Sequence, residues 1–289
     1  TEQSQMVQID VQHHHAHIVS CMAENHVEEP VIGLAFDGTG YGSDGRLWGG
    51  EVLIARLDGF ERAAHLSYTP MPGGAAAIKE PWRMAVSYLY GVYGKDFVNC
   101  RLPFLDTLND SKCKIIMEMI EKDINAPKTS SLGRFFDGIA AMLGIRSHVA
   151  FEGQAAMELE MAAETWTGDL YEYAWSSEEP VQVDPHPIIT GVVRDIEKGF
   201  PSSMVSGKFH ATLMAMFTDL CQVIRKKTGL SRVALSGGCF QNAILLSGLL
   251  KRLDEKGFHV LTHENVPAND GGIALGQAVI ADAIVRRGG

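Results

Sequence analysis

Apolar and polar residues follow two different patterns in the first part of the chain, one typical of a helix and one typical of strands. Val11 to Asn25 has apolar residues at helical spacing and predicts an amphipathic helix. Val31 to Phe36 is a compact apolar run, and Asp-Gly turns separate the β-type runs Leu47 to Leu57 and Phe60 to Tyr68 from what precedes them. Runs joined by such turns predict a meander of antiparallel strands.

The middle of the chain predicts interrupted helices. We expect them over Pro81 to Tyr93, in pieces of 103–148, and over Gln154 to Glu164. The segment of about 166–200 has short β-like pieces, Leu170 to Trp175 and Ile188 to Val193, and we interpret it as a partly extended insertion.

The last third alternates helix and strand. Ser202 and Ser203 are predicted to cap a long helix that Gly229 ends. We then expect a strand at Arg232 to Leu235, a helix at Gln241 to Lys256, a strand at Phe258 to Thr262 and a helix at Ile273 to Val285. A meander followed by a βαβ unit predicts a mixed α/β fold.

Composition narrows the possible partners. The 289 residues contain 25 Lys and Arg against 35 Asp and Glu, a net charge of -10, which argues against a nucleic-acid or membrane-binding surface. Neither a membrane-spanning apolar run nor a signal peptide is found. Five cysteines without a CxxC pair indicate reduced thiols and a cytoplasmic location.

Histidines are concentrated near the start, where four of the 11 lie within residues 13–17. His13 and His17 are four residues apart on one face of the predicted helix, so both imidazoles could bind one metal ion. A solvated or packed histidine helix is the alternative. Asp37 opens the glycine-rich run of residues 37–42, which could hold a phosphate or a metal ion or could be a plain turn.

Two later glycine turns are further candidates. Ser236, Gly237 and Gly238 connect a strand to a helix that begins near Asn242, an arrangement that suits an anion or a nucleotide, although a close-packed turn also explains the glycines. Asp270 precedes two glycines before the last helix and is either a metal ligand or a helix cap.

Several longer strings resemble one family. The C-terminal region of the HypF carbamoyltransferases of [NiFe]-hydrogenase maturation is similar from about residue 7 to 282, in the strings Val11-Gln-His-His-His-Ala-His17, Asp37-Gly-Thr-Gly-Tyr-Gly42, Leu47-Trp-Gly-Gly-Glu51, Glu80-Pro-Trp-Arg-Met-Ala85, Phe151-Glu-Gly-Gln-Ala155, Leu235-Ser-Gly-Gly-Cys-Phe-Gln-Asn242 and Asn269-Asp-Gly-Gly-Ile-Ala-Leu-Gly276. More distantly, Gly133-Arg-Phe-Phe-Asp137 resembles an element of the tRNA threonylcarbamoyl transferases.

The resemblance implies an α/β fold of the actin, hexokinase and Hsp70-like ATPase (ribonuclease H-like) type, without the opening strands of its first lobe. Residues 1–28 would be a metal-binding helix from that lobe, and 29–289 the second lobe with the nucleotide site. The family's acylphosphatase-like, zinc-finger and YrdC-like domains are not found in the sequence, so we expect a fragment with incomplete activity.

The resemblance also implies roles for residues. Iron or zinc would be held by His13, His17, Asp37 and Asp270. The nucleotide, as ATP, AMP or carbamoyl adenylate, would be held by Gly133, Asp137, Ser236, Gly237, Gly238 and Asn242. Arg83 would contact an anion during catalysis.

The implied reaction is carbamoyl transfer. A YrdC-like domain would supply carbamoyl adenylate, and this chain would pass the carbamoyl group to the C-terminal cysteine thiol of HypE, on the route to the cyanide ligands of the hydrogenase. Two alternatives stay open: a tRNA threonylcarbamoyl transferase-like enzyme, and a fragment that docks a partner without catalysis.

Overall fold

The structure is a computed structural model that describes residues 8–288; residues 1–7 and 289, which the predicted lobes include, lie outside the described residues. Its helices are α1 (His13–Glu24), α2 (Ala75–Lys79), α3 (Trp82–Tyr93), α4 (Asp110–Glu121), α5 (Leu132–Met142), α6 (Gln154–Ala162), α7 (His186–Glu197), α8 (Ser202–Thr228), α9 (Ala243–Glu255) and α10 (Ile273–Gly288). Its strands are β1 (Val31–Tyr41), β2 (Leu47–Arg56), β3 (Gly59–Leu66), β4 (Thr69–Pro70), β5 (Lys128–Thr129), β6 (Ala174–Trp175), β7 (Val181–Asp184), β8 (Arg232–Ser236) and β9 (His259–Leu261).

The described strands form one mixed sheet in the order β6-β7-β3-β2-β1-β8-β9, with β5 paired to β2 and β4 paired to β5. β1, β2 and β3 are antiparallel neighbours, as the meander predicts. β8 and β9 run parallel to β1 and to each other, which confirms the βαβ unit. The α/β fold class is therefore confirmed.

Strand β1 separates two apolar layers by the alternation of its side chains. Ile32, Leu34 and Phe36 face the larger core, where α3, α5, α7, α8 and α9 pack. Val31 and Ala35 face the smaller core, which α1 and α10 cover. Because side chains along a strand alternate between faces, residue 37 is also directed toward α1.

Three local predictions were wrong. Ile188 to Val193 is not a strand but part of α7, because its apolar residues repeat at helical spacing and five of the six residues are buried. In the other β-like piece, only residues 174–175 form a strand. Helix α8 begins after Pro201 without a side-chain cap, so the predicted serine cap is not formed.

The segment of 166–200 contributes to the body of the fold. Its strand β7 pairs in parallel with β3 over residues 181–183, and helix α7 packs its apolar face into the larger core. The boundary between the two predicted lobes stays a prediction. In the described part of the chain, none of the helices combines the length and apolar character that a membrane crossing requires.

Candidate active site

Helix α1 presents the two predicted histidine ligands together. The side chain of Gln12 caps the helix by accepting the N–H of His15, so the helix begins at His13 and places residues 13 and 17 one turn apart on the same face. The side chain of His17 is 1% exposed and that of His13 is 22% exposed. His17 is therefore part of the packed interior.

The two predicted aspartates approach this face from different elements. Asp37 lies near the end of the buried part of β1, directed toward α1, and is itself buried. Asp270 lies in a short 3-10 turn before α10, and its side chain is 71% exposed. Asn269 caps that turn by accepting the N–H of Gly271, so the capping role that was the alternative for Asp270 belongs to its neighbour.

These four side chains form one cluster, in which one nitrogen or oxygen from each lies within 4.8 Å of the others. His13 Nε2 is 3.0 Å from Asp37 Oδ2 and 3.6 Å from Asp270 Oδ1. His17 Nε2 is 3.6 Å and 3.4 Å from the same two oxygens. The structure thus brings together all four residues that the sequence predicts as metal ligands.

The electrostatics of the cluster favour ionised aspartate. Burial opposes ionisation of Asp37, but the hydrogen bond from His13 and the nearby imidazole of His17 outweigh it and hold the pKa of Asp37 well below its usual range. Burial alone would lower the pKa of His13, yet the hydrogen bond and charge of Asp37, with the charge of Asp270, raise it.

The cluster fits a divalent metal ion. Among the described residues, Nε2 of His17 is buried without a hydrogen-bond partner, which is costly unless a ligand completes the site. Two imidazoles and two carboxylates are a donor set that suits zinc and iron.

Two further histidines, His14 and His15, lie between the cluster histidines in the sequence of α1. His14 and His15 are both buried, so neither ring lies on a solvated face of the helix. Burial lowers the pKa of His14 well below its usual value and keeps the ring neutral. Gly40 is required here, because a Cβ at residue 40 would lie 2.4 Å from Cε1 of His14 and 2.6 Å from Cδ2 of His13.

The predicted glycine turn after β8 meets the cluster at Asp37. The N–H of Gly238 donates to Asp37 Oδ1 at 3.2 Å, and Gly237 adopts a φ of 110°, which favours glycine. Gly133, in the first turn of α5, lies against Gly38, since a Cβ there would be 2.9 Å from the Gly38 Cα. The predicted nucleotide-binding residues Gly133, Gly237 and Gly238 therefore border the cluster of histidines and aspartates.

Two predicted nucleotide contacts already have partners within the protein. Ser236 Oγ lies 2.9 Å from His263 Nε2. Asn242 caps α9 by accepting the N–H of Leu245 at 2.8 Å, and its amide nitrogen is 3.0 Å from His210 Nε2. Any nucleotide contact through these side chains would compete with these bonds, and their predicted role stays a prediction.

Asp137 is paired with Arg134 in the interior. Their side chains are each 3% exposed, and Arg134 Nη2 lies 3.0 Å from Asp137 Oδ2. Burial raises the pKa of Asp137 to about 6, although the positive charge of Arg134 opposes this rise. Asp137 follows Gly133 by four residues on α5, and its predicted contact with a nucleotide stays a prediction.

Arg83 lies apart from these groups. Its Nε donates to Glu80, its guanidinium carbon lies 5.1 Å from the Trp82 ring centroid, and one of its nitrogens lies close to Gly73. These contacts place it at the start of α3, and its predicted catalytic role is untested.

A buried carboxylate that the sequence reasoning assigned no role supports the site. Glu51 accepts the N–H groups of Gly49 and Gly50 and binds Arg62 Nε at 2.6 Å and Ser130 Oγ at 2.5 Å. The next residue, Ser131, donates to the carbonyl oxygens of residues 37 and 38 at 3.0 and 2.6 Å. The string of residues 47–51 was a signal for this network, but the partners Ser130 and Ser131 have none in sequence.

Comparison with known proteins identifies the family. Residues 33–277 match the family model described as the carbamoyltransferase Kae1-like domain, second subdomain. The chain belongs to the HypF carbamoyltransferase family. Carbamoyltransferase HypF2 of Cupriavidus necator is 37% identical over 94% of this chain, and a HypF homolog from the same organism is 35% identical over 94% of this chain and 70% of its own length.

A solved HypF structure confirms the fold. The full-length HypF crystal structure, in a phosphate- and nucleotide-bound form, superposes with a TM-score of 0.92 and 45% identity over 98% of this chain and 44% of its own. The chain spans 36% of the length of HypF2. The ribonuclease H-like ATPase fold that the resemblance implies agrees with this match.

Proposed function

We propose that this chain catalyses the carbamoyl-transfer step of the HypF reaction. Carbamoyl adenylate, formed from ATP and carbamoyl phosphate by a YrdC-like domain, is the donor, and the C-terminal cysteine of a HypE-type protein is the acceptor. The observation that carries this proposal is the cluster of His13, His17, Asp37 and Asp270 beside the glycine turns of a HypF-type fold.

In the proposed reaction, the thiolate sulfur of the acceptor bonds to the carbamoyl carbon, and the bond from that carbon to the phosphate oxygen of AMP breaks. AMP leaves with the electron pair, and the product is an S-carbamoyl thioester. A divalent iron or zinc ion in the cluster would act as a Lewis acid toward an oxygen of the donor.

The residues of this chain hold and orient the reactants. Asp37 and Asp270 supply the negative charge that retains the metal ion, and His17 presents its unpaired Nε2 to it. Gly238 and Gly133 keep the surrounding turns close to Asp37, where AMP is proposed to lie. The thiol of Cys239 is not the nucleophile, because burial and the charge of Asp37 raise its pKa well above the usual value.

Labelled carbamoyl transfer tests the proposal. The full chain is mixed with a separately purified YrdC-like domain, ATP and radiolabelled carbamoyl phosphate, with three acceptors: a HypE-type C-terminal peptide, the same peptide ending in serine, and tRNA. We expect label only on the cysteine peptide, with AMP released, and none with the His17→Ala variant.

The two alternatives have different outcomes in the same assay. Label on tRNA, tested with radiolabelled threonine and bicarbonate added to the mixture, would favour a threonylcarbamoyl transferase-like enzyme. If neither acceptor is labelled although the chain binds the peptide, the partner-docking fragment is the better description, and the proposed transfer activity is wrong for this chain alone.

A further inference from the structure

Helix α1 carries two more polar side chains on the stripe that presents the cluster histidines. His13, His17, Ser20 and Glu24 are spaced at i, i+4, i+7 and i+11. At 3.6 residues per turn, these positions lie within an arc of about 60°, and they span about 16 Å of the helix. The face that holds the metal cluster therefore continues to the end of the helix.

Ser20 and Glu24 both bind the segment of residues 262–272, here called the ligand loop because it carries Asp270. The hydroxyl of Ser20 donates to the carbonyl oxygen of Gly272 at 2.9 Å, in a buried contact. The carboxylate of Glu24 accepts the backbone N–H groups of residues 264 and 266 at 3.1 Å each, and also that of residue 265. Glu24 thus satisfies three successive amides of the loop.

A buried histidine extends this contact to β8. Nδ1 of His263 lies 2.9 Å from Glu24 Oε2, and its Nε2 lies 2.9 Å from Ser236 Oγ. The side chains of Glu24 and His263 are 9% and 5% exposed, so the charge-assisted bond between them is shielded from water. Glu24 therefore connects the metal helix, the ligand loop and the turn that begins at Ser236.

Asp270 depends on such support more than the other cluster members. His13 and His17 are fixed by a helix and Asp37 by a central strand, whereas Asp270 lies in a three-residue turn with most of its side chain exposed. The location of its carboxylate is set by the backbone of the ligand loop, and α1 holds that backbone on both sides of it.

We propose that Ser20 and Glu24 are positioning residues that hold the ligand loop against α1 and thereby place Asp270 for metal binding. The inference rests on the proposed metal site, and is independent of the acceptor and of the reaction. Outer groups that orient metal ligands typically change metal affinity by about 10- to 100-fold when they are removed.

Glu24 is ionised over the whole working range of pH. Burial opposes its ionisation, but the N–H groups of the ligand loop and the His263 hydrogen bond outweigh it and lower the pKa of Glu24 to about 2. Substitution by glutamine keeps the size and one acceptor oxygen but removes the charge, which makes Glu24→Gln the informative change.

Zinc affinity measured by competition with a chromophoric chelator tests the proposal. We expect Glu24→Gln to raise the zinc Kd about 10- to 100-fold, and Ser20→Ala to raise it by a smaller factor. Glu29→Gln is the matched control, because Glu29 loses the same charge from an exposed side chain that is 3.7 Å from Arg232. Its Kd should equal that of the unchanged chain.

Unfolding in urea with EDTA separates positioning from a general loss of stability. If Glu24→Gln and Ser20→Ala lower the free energy of unfolding but leave the zinc Kd unchanged, both residues are merely structural and the inference is overturned. If the unchanged chain binds no zinc or iron, the proposed metal site itself fails, and this inference fails with it. Because Ser20→Ala is the milder change, it preserves the test should Glu24→Gln not fold.

Discussion

His15 and His17 offer a direct comparison between a packed histidine and a proposed metal ligand. Both are buried on α1, two residues apart. Nε2 of His15 binds the carbonyl oxygen of Arg56 at 2.7 Å, whereas that of His17 has no hydrogen-bond partner among the described residues. The order of stability of the His15→Ala and His17→Ala variants should therefore reverse when metal is added: His15→Ala should be the less stable variant without metal and the more stable one with it.

The magnitudes follow from these contacts. Without metal, each substitution removes a buried ring and should cost about 1–3 kcal/mol of unfolding free energy. His15→Ala should cost about 1 kcal/mol more, because it also loses the hydrogen bond to the carbonyl oxygen of Arg56. With free zinc at 100 times its Kd, the unchanged chain and His15→Ala should gain about 2.7 kcal/mol, and His17→Ala should gain nothing.

Urea unfolding in EDTA measures the stability without metal, and urea unfolding in zinc measures the gain from the metal ion. Elemental analysis of the purified proteins shows whether metal is bound. The metal increment should be present in His15→Ala and absent in His17→Ala. A zinc increment that survives in His17→Ala would refute the assignment of His17 as a ligand. Loss of the increment in both variants would show instead that the helix, and not a particular imidazole, governs binding.

Three further predictions concern the surroundings of the cluster. Gly40→Ala should weaken zinc binding at least tenfold by displacing the two nearest imidazoles, whereas Gly59→Ala, whose Cβ would meet no described atom within 4 Å, should bind as before. Burial lowers the pKa of His210 to about 4, so this histidine binds a proton more readily in the unfolded state than in the folded state. About 2 kcal/mol of stability should therefore be lost as pH falls from 7 to 5. Urea unfolding of the His210→Gln variant should lack this loss. Arg134→Met should cost about 3–5 kcal/mol by leaving Asp137 buried without its partner, and adding Asp137→Leu should recover most of that in the same assay.

Much of the fold was predictable because it depends on local rules. The Asp-Gly turns at Asp44 and Asp58 set the meander of β1, β2 and β3, and the apolar run before Ser236 gave the parallel strand β8. The prediction failed at Ile188 to Val193, where β-branched residues favour a strand but helical spacing and burial against α3 and α8 decide for a helix.

The four residues of the cluster could be predicted from sequence, but the side chains that surround and bury them could not. His13 and His17 carry a helical spacing, and Asp37 and Asp270 each precede glycine, so each has a local signal. The burial of His17 could not be predicted from its spacing, because it depends on Asp37 and α10 packing against the helix. Glu51 and Ser130 meet across 79 residues, and no pattern in sequence fixes such a pair.

The polar stripe of His13, His17, Ser20 and Glu24 on α1 is intermediate between the features that sequence predicts and those that it does not. Its spacing is visible in sequence, yet a serine and a glutamate seven and eleven residues after a histidine are ordinary on any helix. They become informative only when strand β9 returns the chain beside α1, so that Asn25 donates to the carbonyl of residue 262 and Glu24 meets the amides that follow. Asp270 is far from His13 and His17 in sequence. A metal site that uses all three residues therefore needs the loop of Asp270 held in a fixed position against α1. In this protein the same helical face supplies two of the proposed ligands and the bonds that hold the loop carrying Asp270.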